Sequence, residues 1–285
     1  MLTLKKTARS GTDCMEKLAE IFAKIPWASF GRQTPISRLA KSILPVGNHF
    51  GVQKHQSGET ISSEDPGFEE WIMDIQGTAF QCGPGKLLTC WHVCQALEVR
   101  SGHAYIQADT IFNGKLAKTY YPITSCFNFI DPRHRKGNAS VDVGVLICPV
   151  RSPDDHKYEV PAVKWGDSTR VGIGDRVLIG GYPLGRDLFL TAATNRGIVQ
   201  PTFYDGIISA ILPATQPEET RLFQISSVAL GGISGGVVCT ADTGKVIGMV
   251  TSGLSVENVS LPITYAIPSE VLQPWVDAIS FVTKD

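Results

Sequence analysis

From residue 75 onward the chain is written in short apolar, β-branched runs separated by turn residues, a pattern that points to an all-β fold. Leu87–Cys90, Val143–Cys148, Val177–Gly180, Phe189–Ala193, Leu222–Ile225, Val237–Thr240, Lys245–Thr251 and Ile263–Ile267 read as strands. Asp242-Thr243-Gly244 reads as a hairpin loop. Many short strands with glycine-rich turns make barrels or a sandwich, not a parallel sheet. Gly172-x-Gly174 is no dinucleotide fingerprint, because Val177 takes the third glycine position, and no P-loop occurs. At 285 residues and 43% hydrophobic content, one or two domains with a full core are affordable.

Before residue 75 the pattern differs. Asp13 with Glu16 three residues on makes a capping box, and Met15, Leu18, Ile21, Phe22 and Ile25 recur at helical spacing until Pro26. Residues 1–34 are thus expected to form a helical extension, and 35–285 the main domain, with an internal boundary at roughly 155–170. Ile36 to Ile43 suggests a second short helix, followed by a strand around Phe50 and Val52, and Gln56 to Pro66 reads as a loop. Ser269 caps a last helix through Ile279.

A net charge of −1 gives no pull toward nucleic acid or an anionic membrane, and Arg133-His134-Arg135-Lys136 reads as a solvated loop. No apolar run reaches ~18 residues, and no signal-like h-region opens the chain, so a cytoplasmic location without membrane contact is expected. The sequons at Asn138 and Asn258 are then idle. Seven cysteines form no disulfide framework and are expected to be free thiols. Cys90 and Cys94 flank His92 and, with Cys82, superficially resemble a metal cluster, but ligation would occupy an imidazole needed as a base; neither metal nor cofactor is expected.

That need comes from Gly232-Ile233-Ser234-Gly235-Gly236. Glycines around a serine allow a sharp turn that exposes the hydroxyl and gathers N–H groups at one point. The string also satisfies the elbow of α/β-hydrolases, but that fold requires a histidine after the serine, and the last histidine is His156. The order His, Asp, Ser finds a candidate at each place. Leu87-Leu88-Thr89-Cys90-Trp91-His92 closes an apolar run on a histidine, suiting a base held at a strand end. Asp142 heads the apolar strand Val143 to Ile147, where a carboxylate is costly unless a donor meets it.

On these segments the chain resembles the chymotrypsin-like serine proteases, and within them the HtrA/Deg branch. Gly77-Thr78-Ala79-Phe80, the His92 and Asp142 strands, Gly174 to Gly185, Arg196-Gly197-Ile198-Val199, the serine loop, Lys245 to Thr251 and Thr264 to Ser269 match in order, covering about residues 75 to 285. Ile233 departs from the family's usual asparagine before the serine, and Val237 from its usual proline. No PDZ domain is expected. The resemblance implies two antiparallel Greek-key β-barrels with the active site in the cleft between them, beside the N-terminal helical extension and a C-terminal helix.

It also implies roles. Ser234 is the nucleophile, His92 the base, and Asp142 the group that fixes the imidazole. The N–H groups of Gly232 and Ser234 form the oxyanion hole, and Thr251 bonds the aspartate. The side-chain pocket is floored by Val228 and walled by Gly253 and Ile263, which leaves its mouth open at Gly253 but shortens it at Ile263. The expected function is a serine endopeptidase acting through an acyl-enzyme after small aliphatic residues of polypeptide substrates. The alternative is a partner-regulated or catalytically silent peptide-binding module, with the N-terminal extension as a surface for oligomer or regulatory contacts.

Overall fold

The computed structural model describes residues 34–52, 70–112, 115–128, 141–148, 160–185, 200–212, 221–257 and 259–282. The expected helix over 13–25, the loop Gln56–Pro66, the strand Phe189–Ala193, the basic run at 133–136 and both sequons lie outside them.

Two β-barrel-like sheets carry the architecture. The first contains β1 (Ile43–Val52), β2 (Glu70–Gly83), β3 (Lys86–Thr89), β4 (Ala104–Phe112), β5 (Lys115–Pro122), β6 (Ser125–Asn128) and β7 (Gly144–Ile147). Its strand order is β5-β4-β1-β2-β3-β7-β6, every pair antiparallel. The second is a closed barrel of β8 (Arg176–Gly181), β9 (Thr202–Leu212), β10 (Leu222–Ile225), β11 (Val237–Thr240), β12 (Val246–Val256) and β13 (Val259–Pro268). Closure removes the exposed edges that such short strands would otherwise present.

Burial explains why these runs became strands. Leu87 and Leu88 are fully buried on β3, facing Leu146 and Val145 of β7, so this pair is covered on both sides and reads as a continuous apolar run. In the second barrel Val177, Ile179, Ile208, Phe223, Ile225, Ile233, Val238 and Ile247 share one core. Where the units meet, the Phe80 ring stands edge-on to Trp165 at 5.9 Å between centroids. Tyr182, just after β8, donates its hydroxyl hydrogen to the Ile43 carbonyl of the first sheet.

Three helices complete the described chain: α1 (Pro35–Leu39), α2 (Trp91–Ala96) and α3 (Ser269–Val282). The helix expected to reach Ile43 stops at Leu39, followed by a 3₁₀ turn over Ala40–Ser42 and then β1. Pro45 disfavours the helical conformation at Leu44, and Ile43 is buried as a strand residue. The strand expected around Phe50 and Val52 is the far end of β1. In α3, Leu272 and Ile279 are buried and the Ser269 hydroxyl donates to the Gly166 carbonyl at 2.9 Å. Among the described residues no helix is long and apolar enough to cross a membrane.

Candidate active site

β3 ends at Thr89, Cys90 remains extended, and α2 starts at Trp91. His92 therefore sits in the first turn of a helix, not at a strand end as the sequence suggested. The difference matters because the N–H groups of a first helical turn lack intrahelical acceptors. The backbone N–H of His92 donates to Asp142 Oδ1 at 3.0 Å, and its Nδ1 lies 2.8 Å from Oδ2. An ionised carboxylate only accepts, so Nδ1 carries the proton and Nε2 of the neutral ring is left with a lone pair. The His92 side chain is half exposed, which keeps that lone pair reachable.

Asp142 occupies a bend two residues before β7. The Thr251 hydroxyl donates to its Oδ2 at 2.7 Å, giving the carboxylate three protein donors. Burial pushes the Asp142 carboxyl up. The hydrogen bonds from the His92 ring, the Thr251 hydroxyl and the His92 N–H outweigh burial and hold it below the usual carboxylate value.

Ser234 lies in the loop between β10 and β11. Gly232 (φ 89°) and Gly235 (φ 82°) take left-handed conformations on either side of Ile233 and Ser234. A Cβ at Gly235 would overlap the Thr78 carbonyl and the Thr89 hydroxyl, and one at Gly232 would meet the Tyr182 carbonyl at 2.5 Å, so only glycine fits. Between them Ile233 is buried in the second core and anchors the loop. Among the described residues no protein acceptor takes the N–H of Gly232 or of Ser234.

Two groups bind this loop to the histidine and aspartate segments. The buried Thr78 hydroxyl donates to the Gly232 carbonyl at 2.8 Å and accepts from the Tyr182 N–H at 2.9 Å. The Thr78 N–H donates to the Ser234 carbonyl at 2.9 Å. The carbonyl of Val250, next to Thr251, accepts from the Gly235 N–H at 2.9 Å and from the Cys90 thiol at 3.1 Å. Thr78 and Cys90, named from the sequence only within a matching segment and a rejected metal cluster, are positioning residues. His92, Asp142 and Thr251 are joined by direct hydrogen bonds, whereas Ser234 reaches them through backbone and Thr78. No hydrogen bond joins the Ser234 hydroxyl to the imidazole among the described residues.

Of the expected pocket residues, Val228 and Ile263 are half-buried. Thr264, after Ile263, donates its hydroxyl hydrogen to the carbonyl of Ser227, before Val228, at 2.8 Å, which draws the two segments together. A Cβ at Gly253 would stand 2.8 Å from Cβ of Ala229, so the two walls are already close and the mouth is narrower than glycine alone implied. Cys90, His92 and Asp142 offer atoms within 4.8 Å of one another. Burial holds the Cys90 thiol well above its usual value and its hydrogen is committed to Val250, a poor state for a metal ligand.

A family model described as "Trypsin-like peptidase domain" matches residues 77–249, more than half of the chain and a range that includes His92, Asp142 and Ser234. The chain belongs to that family. Among curated relatives, the serine protease Do-like HtrA of Bacillus subtilis (strain 168) is 32% identical over 123 residues, covering 42% of this chain and 25% of that protein. Among solved structures, the HtrA-type protease AlgW with decapeptide superposes with a TM-score of 0.56 at 21% identity, covering 86% of this chain and 66% of that one. The form with tripeptide gives 0.53 at 21% identity, covering 86% and 62%. This member of the trypsin-like peptidase domain family therefore shares the HtrA-type protease fold while spanning less than two thirds of these relatives' length.

Proposed function

We propose that the protein is a serine endopeptidase in which Ser234, His92 and Asp142 act as a catalytic triad. One observation carries this reading: the imidazole is bonded through Nδ1 to a carboxylate held by three donors, leaving Nε2 free as a base. Ser234 Oγ attacks the peptide carbonyl while His92 Nε2 takes its proton, and His92 returns that proton to the leaving amine. Water then repeats the sequence on the acyl-enzyme. Asp142 stabilises the imidazolium that forms in each half. The unpartnered N–H groups of Gly232 and Ser234 are the donors for the oxyanion, each worth about 3 kcal/mol in the transition state.

Polypeptides are the substrates, consistent with the decapeptide and tripeptide recorded with AlgW. Beyond Thr251, β12 continues through Ser252 and Gly253, both exposed, and offers an extended peptide a strand to pair with. The pocket accepts Val, Ala or Thr in preference to charged or aromatic side chains. Val228 offers no counter-charge, and Ala229 narrows the gap at Gly253.

A second reading, regulation by a partner or peptide, is favoured by the absent Ser234–His92 hydrogen bond. Leu184 is held at φ 63°, a strained value for a branched residue, in the turn that packs against Gly232. Relaxation of that turn on peptide binding would shift the serine loop toward its competent arrangement. Peptide hydrolysis by wild type and Ser234→Ala tests the main reading. The variant is expected to fold normally and lose several orders of magnitude in turnover, and wild-type turnover in the variant would refute it.

A further inference from the structure

Two cysteines outside the hydrolytic chemistry meet beside it. Cys94 lies on α2, two residues after His92, and is 3% exposed. Its sulfur occupies the space that Gly144 leaves by having no side chain; a Cβ there would overlap it. Cys126 lies on β6, opposite Leu146 of β7, and Asn128 is opposite Gly144. Strand alternation places Cys126, Leu146 and Gly144 on one face of the pair. The Cys94 sulfur, seated at Gly144, and the Cys126 side chain, one pair further along the same face, are thereby brought together. Cys126 is half-buried, and Arg100 is the cation nearest to it by charge interaction.

We infer that Cys94 and Cys126 are a peroxide-sensitive dithiol whose disulfide ties the His92 helix to β6, the strand paired with the one that follows Asp142. The neighbouring Cys94 thiol and the charge of Arg100 outweigh burial and lower the Cys126 thiol below its usual value, which favours its thiolate. The neighbouring Cys126, with burial, holds the proton on Cys94. The Cys126 thiolate attacks one oxygen of a hydroperoxide, the O–O bond breaks, and an alkoxide or hydroxide leaves and is protonated by solvent. Cys126 is now a sulfenic acid. The Cys94 sulfur attacks the Cys126 sulfur, the S–O bond breaks, and the departing hydroxide takes the Cys94 proton as water. The two thiols lose two electrons and two protons, and the hydroperoxide is reduced to an alcohol, or water, plus water.

A disulfide requires the sulfurs to close to ~2.05 Å. Cys94 is carried by α2, so drawing its sulfur away from Gly144 toward Cys126 pulls on α2 and reaches His92 within one turn. The thiol chemistry stands independently of the hydrolytic assignment, whereas its effect on turnover rests on it. Oxidised enzyme should cleave peptide several-fold more slowly, with recovery in dithiothreitol.

The test is a hydrogen peroxide titration of the full chain, read by non-reducing peptide mapping and by differential alkylation. A cross-linked peptide pair containing Cys94 and Cys126, two hydrogens lighter than the reduced pair, is expected. In Cys94→Ser, Cys126 should stop at a dimedone-reactive sulfenic acid. Differential alkylation of the wild type needs no variant to fold, and two thiols that stay separately alkylatable after peroxide would overturn the pair. So would a cross-link from either to another cysteine. Disulfide formation with an unchanged cleavage rate would overturn the coupling to His92. Absence of cleavage even in reduced protein would count against the hydrolytic reading and leave the thiol result standing.

Discussion

The Thr78 hydroxyl donates to Gly232 and accepts from Tyr182, so one buried oxygen fixes both the serine loop and the turn behind it. Thr78→Val keeps the shape and strands two backbone groups, each costing ~1–3 kcal/mol when left unsatisfied. Thermal unfolding should show that loss, and kcat should fall more than KM changes; Thr78→Ser should restore both. Asp142 supports a second expectation. Its folded pKa is depressed, so its contribution to stability is full above the unfolded value near 3.9 and is lost as pH falls through the lower folded value. Asp142→Asn should therefore flatten the loss of melting temperature below about pH 4, while lowering kcat by ~10⁴ through the wrong tautomer. Parallel melting profiles for the two proteins would contradict the pairing. The His92–Asp142–Thr251 contact was legible because His92 closes an apolar run, Asp142 heads one, and the family resemblance pointed to Thr251. Thr78 and Cys90 were not, because their acceptors lie 154 and 160 residues away in the chain.

Strands buried on both faces announced themselves, and strands with mixed faces did not. Leu222–Ile225 and Val237–Thr240 appear with the bounds their residues suggested. β4 was missed because Gln107 sits buried between Ile106 and Ala108, its Nε2 donating to the Tyr120 hydroxyl at 3.0 Å. That partner lies across a hairpin and breaks the expected alternation. β9 was missed because Asp205 and Gly206 interrupt its apolar run, although Asp205 is paired outside the barrel with Arg176 at 2.8 Å. The α2 helix was hidden by its brevity, six residues with no side-chain cap. At this scale the pocket hairpin gives the sharpest expectation. Ile263→Gly should extend cleavage toward Phe and Tyr, in a peptide library read by mass spectrometry, with a shift of ~1–3 kcal/mol in discrimination. Unchanged preference would remove Ile263 from the pocket, and dominant cleavage by wild type after Arg or Lys would refute the apolar floor.

Taken as a whole molecule, the two sheets meet through Thr78, Tyr182 and Val250, so the active-site segments are assembled by the interface itself. The second barrel also argues against one mode of control. Ile233, before the nucleophile, is 1% exposed in the core and has no charge to pair with a newly cut N-terminal amine. N-terminal sequencing of active enzyme should find no obligatory cut upstream of Gly77. The stripe of Met15, Leu18, Ile21, Phe22 and Ile25 lies outside the described residues; on a helix, as its spacing predicts, it would need a cover. Deleting residues 1–34 should lower the melting temperature if the chain covers its own stripe, or change the mass in solution if a second molecule does. The most direct test of the central claim is labelling with a fluorophosphonate, mapped by mass spectrometry in wild type and His92→Ala. A single adduct on Ser234 in wild type, lost or greatly slowed in His92→Ala, is the predicted result; folded wild type that takes no adduct, or takes it on another serine, would contradict the account.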